Sequence, residues 1–529
     1  MGLPNLSILE TEEVGTPVNV SKLYQNLSTF GLTTLNAFGE FIDNTIDASA
    51  RYITINLYNE SACTSDGGMI EIVDDGFGMD KSVLTNSFRY SNDSPHQADD
   101  LGCFGVGGLT ASKVLGNIRE VWTRPVGSDR ILKMVQDFRT IDANNPTATF
   151  SYVTSAEEVE YFNSQVTSQN NVGTIVRIRD LNPIFVDGQR FTTMGKFRSH
   201  LVKYIARTYR QFITADRHIG FRVMVYGSQG PTDEGILVEA FDPLYRGKAL
   251  ATHQLSQYNP VSKSFVVGNG KVHLNISFLN HQELTNKKKK KNIINKSNSG
   301  FSLLRNGREI VSNINIEQIT GKTHNRQYWM RSEMTYTSDN DVFFKTNAHK
   351  NGLELCLPEE VTDEIREWYC TIIAPNLYQL EILRNSNGVR DEEDPKSEEE
   401  LFSDGVNSGM RMLNLGDLHL HDGTTVRPKF ELTVDTSPSN GPSKRYWVEP
   451  GQSHNISLRI NGNNDFNKRY YLGGDAKTRE ALRIQYTAEA LSEWMTRHYT
   501  PTDTVQINKG ILLYMEDVER KISQILLKI

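Results

Sequence analysis

The stretch Glu40-Phe41-Ile42-Asp43-Asn44-Thr45-Ile46-Asp47 decides how this chain is read. It lies inside a predicted helix over residues 32–50, where Leu35, Phe38, Phe41, Ile42 and Ile46 recur at the spacing of a core-facing stripe. On that helix Glu40, Asp43, Asn44 and Asp47 stand three and four residues apart and share a face. Three carboxylates so close together repel one another, and a bound cation relieves the repulsion. Mg²⁺ takes oxygen ligands and keeps several waters, so one amide oxygen together with phosphate oxygens would hold it. A neighbouring carboxylate could then orient or deprotonate an attacking water. The same eight residues also fit a solvated acidic helix face, so the reading turns on what surrounds them.

Working outward, Ile70-Glu71-Ile72-Val73 reads as a strand that runs into Asp74-Asp75-Gly76-Phe77-Gly78-Met79. A carboxylate at a strand end can accept a hydrogen bond from an exocyclic amine. The two glycines let the backbone turn sharply and come close to a flat ring. Next comes Gly102-Cys103-Phe104-Gly105-Val106-Gly107-Gly108 ahead of a predicted helix at 109–115. Glycines at that spacing free backbone amides to cradle phosphate, helped by the helix N-terminus. No Gly-Lys-Ser/Thr follows, so the segment is not a P-loop.

In this order and spacing the elements resemble the GHKL superfamily of ATPases, which includes the large heat-shock chaperone ATPases, MutL, gyrase B, the MORC ATPases and histidine kinases. Glu40-x-x-Asp43-Asn44-x-x-Asp47 resembles its first motif, Asp74-x-Gly76-x-Gly78 its second, Gly102-x-x-Gly105-x-Gly107 its lid and Gly173-Thr174 its later strand. The resemblance implies ATP and Mg²⁺ as cofactors, with Glu40 as general base and Asn44 as the metal ligand. Asp74 would take the adenine amino group, supported by Thr174, with Gly76, Gly78 and Met79 lining the pocket. Gly102, Phe104, Gly105, Val106 and Gly107 would close over the phosphates, and Asp43 and Asp47 join Asn44 on the nucleotide side. Further on, Phe301 to Ile310, Arg331-Ser332-Glu333 and Asp341 to Lys350 resemble the transducer segment of such enzymes, whose lysine reaches the γ-phosphate. Lys350 fits that place best and Lys345 second, countering charge on the transferred group.

The implied fold is α/β: a GHKL (Bergerat) α/β sandwich at 1–212, then a transducer (S5-like) α/β domain at 213–390. An acidic linker at 391–410 and a β-rich C-terminal module with helices at 411–529 complete it. Within the second domain, Lys287 to Lys291 fall in a polar stretch, 286–299, expected to be a mobile loop. Helices are predicted at 477–498 and 513–527, and Trp447 and Trp494 are taken as core.

Composition sets the outer bounds. With 529 residues, 38% hydrophobic, 23% charged and a net charge of −7, the chain reads as a soluble protein of several domains that does not coat nucleic acid with its whole surface. No apolar run approaches the roughly 20 residues of a membrane span. The start lacks a secretory pattern, and Leu6 stands where myristoylation after Gly2 wants Ser or Thr. Cys63, Cys103, Cys356 and Cys370 form no CxxC pair, so a cytoplasmic (or, in a eukaryote, nuclear) setting is expected.

A histidine kinase would need a helix pair with a phosphoacceptor His before residue 32, and a gyrase would need metal and cleavage domains. Neither fits, and no endonuclease cluster of the MutL kind is evident. A MORC-like ATP-operated clamp on DNA, in chromosome compaction or defence against foreign DNA, remains, contacting phosphate non-specifically through Lys287 to Lys291. Its alternative is an Hsp90-like chaperone or signalling ATPase with a protein client. By resemblance the chain dimerises when ATP binds, with residues 1–24 as an exchanged strap, and the C-terminal module could carry a protein partner.

Overall fold

The computed structural model describes residues 22–23, 26, 31–59, 68–89, 100–101, 107–141, 148–214, 218–246, 248, 261–284, 286–321, 325–346, 353–374, 376–377, 380, 399, 403, 418–419, 425–426, 429–437, 441, 443–450 and 456–498. The expected helix at 513–527, residues 1–21 of the expected strap, Lys350 and the lid residues Gly102, Phe104, Gly105 and Val106 lie outside them.

Helix α1 (Thr34–Asp47) begins at Thr33, whose hydroxyl accepts the Asn36 amide at 3.2 Å, an N-cap of the usual kind. Strands β1 (Tyr52–Tyr58) and β2 (Met69–Asp74) follow. Helix α2 (Gly107–Leu115) leads directly into β3 (Gly116–Arg124), with β4 (Leu132–Asp137) and β5 (Thr149–Tyr152) beyond it. Helix α3 (Ala156–Gln165), β6 (Gly173–Leu181), helix α4 (Met194–Thr208) and β7 (Gly220–Gly227) complete the unit. The main path of the sheet runs β7-β1-β2-β6-β3-β4-β5, with short strands beside β7. β1 and β7 pair in parallel, and the other pairs along this path are antiparallel.

Alternation decides the two faces. Ile53, Ile55, Leu57, Ile70, Ile72 and Ile178 point to one side and bury against Phe38, Phe41 and Ile42 of α1 and Phe197, Leu201 and Ile205 of α4. The opposite face carries a buried polar row across four strands, Asn56 opposite Glu71, Glu71 opposite Arg177 and Arg177 opposite Glu120. Arg177 Nε donates to Glu71 at 2.8 Å and the Tyr161 hydroxyl of α3 to the same carboxylate at 2.7 Å, so the charge is neutralised where it is buried.

A second sheet joins β8 (Val261–Val267), β9 (Gly270–Phe278), β10 (Phe301–Arg305), β11 (Arg308–Ile314) and β12 (Met330–Tyr336) in the order β8-β9-β12-β10-β11. Its own core gathers Phe265, Leu274, Phe278, Leu303 and Met334 with Trp368 of helix α5 (Glu359–Trp368). Strands β10 and β11 meet at Asn306-Gly307, both at positive φ (48° and 89°), the conformation a two-residue hairpin needs.

One expectation is corrected here. Lys287–Ile293 forms a short helix in place of a mobile loop, capped by Asn286, whose side chain accepts the Lys289 amide at 3.0 Å. Lys290 turns inward, with Nζ 5.9 Å from the ring centre of Trp329, while Lys287, Lys288, Lys289 and Lys291 stay exposed. Toward the C-terminus, strands Phe430–Asp435, Tyr446–Pro450 and Ile456–Asn461 form a three-stranded sheet, near the helix Ala476–His498. Of the acidic stretch 391–410, Glu399 and Ser403 are described, and both are buried. Glu399 accepts from Arg483 at 3.0 Å, so at this point the stretch packs against the C-terminal helix rather than facing solvent. Trp447 is half-buried in its strand. Among the described residues no helix is long and apolar enough to cross a membrane.

Candidate functional site

Strand register builds one end of the site. Asp74 at the end of β2 lies opposite Thr174 of β6, and Thr174 lies opposite Thr123 of β3. The row sits on the sheet face that α1 covers. The two threonine hydroxyls are 3.1 Å apart, and the Met79 amide donates to Thr123 Oγ1 at 2.9 Å. Asp74 accepts from the Gly76 amide at 2.9 Å. Burial pushes its carboxyl up from the ordinary 3.8 to about 7, partly opposed by the amides of Gly76 and Thr174 and reinforced by Asp75. A buried carboxyl at a strand end is an acceptor suited to a donor such as an exocyclic amine.

The glycines here are dictated by space. Gly78 has φ +69°, and a Cβ on it would overlap the Arg124 carbonyl. A Cβ on Gly76 would come within 2.7 Å of the Ala48 carbonyl. Met79 is half-buried against the cluster of Leu84, Val121 and Leu132.

The other end forms where α1 meets the start of α2. Glu40 is 6% exposed, and a Cβ at Gly107 would collide with its Oε2. Asn44 is exposed, its Nδ2 lying 3.4 Å from where a Cβ of Gly108 would stand. The structure thus brings Glu40 to Gly107 and Asn44 to Gly108 at one helix N-terminus, with Asp74 and Thr174 on the sheet face that α1 covers. A solvent-facing amide beside a carboxylate fits Mg²⁺, which wants hard oxygen donors and retained water. Asn44 would hold it, and when bound it would neutralise charge on phosphate oxygens. Among the described residues no group of three His, Cys, Asp or Glu side chains could hold a metal.

Asp43 and Asp47 are engaged elsewhere. Asp43 is fully buried, and Arg308 Nε of β11 donates to its Oδ1 at 2.8 Å. The Tyr209 hydroxyl donates to the same oxygen at 2.7 Å. Asp47 Oδ1 accepts the Leu101 amide at 2.9 Å, just ahead of the glycine-rich segment. Lys345 is exposed on Phe344–Thr346, which pairs with Leu353–Leu355 and so brackets residues 347–352.

A cavity of about 820 Å³ opens beside this row, lined by Ala48, Gly76, Phe77, Arg124, Val126 and Asn171 among others. Glu40, Asn44, Asp74 and Thr174 are not in its wall. The convergence of a buried carboxylate, an exposed amide and a helix N-terminus is the better marker of chemistry, because it assembles complementary groups where volume alone does not. Three residues that sequence reasoning missed belong to this region. Thr123 carried no signal because only register reveals it. Tyr209 and Arg308 lie far along the chain from α1.

No curated protein matches the chain. Among solved structures, one described as the crystal structure of the N-terminal domain of a DNA repair protein is similar at 16% identity with a TM-score of 0.38, covering 66% of this chain and 96% of that one. The segment 32–174, which carries Glu40, Asn44, Asp74, Gly107 and Thr174, matches the family model of the histidine kinase-, DNA gyrase B- and HSP90-like ATPases.

Proposed function

We propose that this chain is a Mg²⁺-dependent ATPase whose nucleotide state drives lid closure and dimerisation, and that it works as an ATP-operated clamp on DNA. The observation that carries the ATPase reading is the meeting of Glu40 with Gly107 and of Asn44 with Gly108 at one helix start, with Asp74 and Thr174 paired on the same sheet face. Asp74 accepts the adenine amine, and Thr174 and Thr123 hold the adjoining wall. Asn44 faces the phosphates. Glu40 takes the proton of the attacking water as that water's oxygen bonds to the γ-phosphorus and the bond to the β-phosphate oxygen breaks. Residues 102–106 close over the phosphates, and Lys350 or Lys345 senses whether the γ-phosphate is present.

The DNA part of the reading is supported by the Lys287–Ile293 helix, which fixes four exposed ammonium groups on a folded element. Ordered lysines pair with phosphate without reading sequence, and each ammonium removed from a phosphate lowers the slope of log affinity against log salt by about 0.9. Replacing Lys287, Lys288, Lys289 and Lys291 with alanine, with Lys290 kept over Trp329, should flatten that slope by about 3 to 4 if every lysine meets a phosphate. ATP turnover without DNA should be unchanged. The test is ATP hydrolysis by parent and variant with and without duplex DNA across a salt series. Turnover that ignores DNA in the parent would move the reading to a protein client.

A further inference from the structure

The β10–β11 hairpin leaves its own sheet at two points, and both contacts land on elements of the candidate nucleotide site. Arg308, with its side chain 2% exposed, pairs with Asp43, 1% exposed, at 2.8 Å. Burial opposes the Arg308 charge most strongly, but Asp43 together with Tyr209, Tyr204 and Glu40 outweighs it and holds the guanidinium protonated well above its ordinary range. Arg308 Nη2 passes 3.0 Å from where a Cβ of residue 39 would stand, and the Tyr204 hydroxyl comes closer still. Glycine is unfavourable in a helix interior, and at position 39 it leaves the space these groups occupy.

The second contact is at the turn. Arg305 Nη1 donates to the Asp100 carbonyl at 3.0 Å, and Asn306 Nδ2 lies 3.4 Å from the same oxygen. The other edge of the Arg305 guanidinium is held by Asp341 at 2.7 and 2.8 Å. Because the Leu101 amide donates to Asp47, residues 100–101 are clasped between the hairpin and α1, directly before the glycine-rich segment. A buried ion pair contributes little net stability, but it fixes which surfaces meet.

We infer that Arg308 is a positioning residue for Glu40, and that the Arg305–Arg308 turn is the contact through which the second sheet and the entrance of the glycine-rich segment sense each other. The inference rests on the ATPase reading above. Asp43 lies three residues after Glu40 on one rigid helix, so a shift at Asp43 turns the Glu40 carboxylate against Gly107, where there is no room for a Cβ. A displacement of about 1 Å at such a group costs about a hundredfold in rate.

The test uses the full chain and three variants, Arg308→Ala, Arg308→Lys and the double Asp43→Asn/Arg308→Met, with kcat, KM for ATP and melting temperature measured for each. Arg308→Ala should lower kcat about a hundredfold with KM held. Arg308→Lys, which keeps the charge but not the planar fork, should fall between. The double variant removes both buried charges, so it should recover the melting temperature while kcat stays low. A double variant that regains kcat along with stability, or an Arg308→Ala chain with the parent's kcat, would overturn the inference and leave the ATPase reading intact. A parent chain that neither binds nor hydrolyses ATP would overturn both.

Discussion

Replacing Glu40 with glutamine lowers ATP turnover by about two to four orders of magnitude and leaves nucleotide binding near that of the parent. Glutamine matches glutamate in volume and can still fill the space against Gly107, so the start of α2 need not move. What it loses is the ability to take a proton from water. Alanine is a weaker test because it also opens a void in a wall where Glu40 is only 6% exposed. Glu40→Asp keeps the base but withdraws it by one methylene, so it should recover part of the rate. The check is phosphate release in a single turnover, run beside binding of a fluorescent ATP analogue. Parent-like turnover in Glu40→Gln would take the proton-transfer role away from this residue.

The local elements were legible in the sequence because their periodicities were strong. Helix α1 follows from the apolar stripe Phe38, Phe41, Ile42 and Ile46, and β2 from Ile70 and Ile72 on either side of Glu71. The shared face of Glu40, Asp43, Asn44 and Asp47 was only half the truth. Successive helical residues point about 100° apart, so Asp43 and Asn44 mark opposite edges of one arc. Which edge meets solvent depends on what packs there, and the partner of Asp43 is Arg308, 265 residues further on. Thr123 was hidden for the same reason, since its place beside Thr174 is a matter of strand register. The lysine run misled through composition. Lysine is a good helix former, and Lys290 can lay its stem on Trp329 while its neighbours stay in water.

Adenine recognition should strengthen as the pH rises through about 7, and Asp74→Asn should abolish it at every pH. The Asp74 carboxyl is raised by burial from the ordinary 3.8 to about 7, so the folded chain holds this proton more tightly than the unfolded chain does. The stability so gained is complete below about pH 4 and is lost as pH climbs to about 7. Above that the buried carboxylate costs on the order of 4 kcal/mol, at about 1.4 kcal/mol for each tenfold change in proton affinity. An amine donating to Asp74 favours the ionised form, so binding expels the proton, and at pH 6 the expulsion weakens affinity by about tenfold relative to pH 8. Adenosine is the cleaner probe, because it brings no phosphate of its own to titrate. In Asp74→Asn the amide presents a donor where the ligand also donates, and the pH-dependent cost is gone. That variant should melt higher than the parent at pH 8 yet show no stabilisation by adenosine, because the carboxylate kept for recognition is a liability to the empty fold. Equal adenosine affinity at pH 6 and pH 8 in the parent would mean that the amine is met by some other group, and the row of Asp74, Thr174 and Thr123 would lose its claim to the adenine.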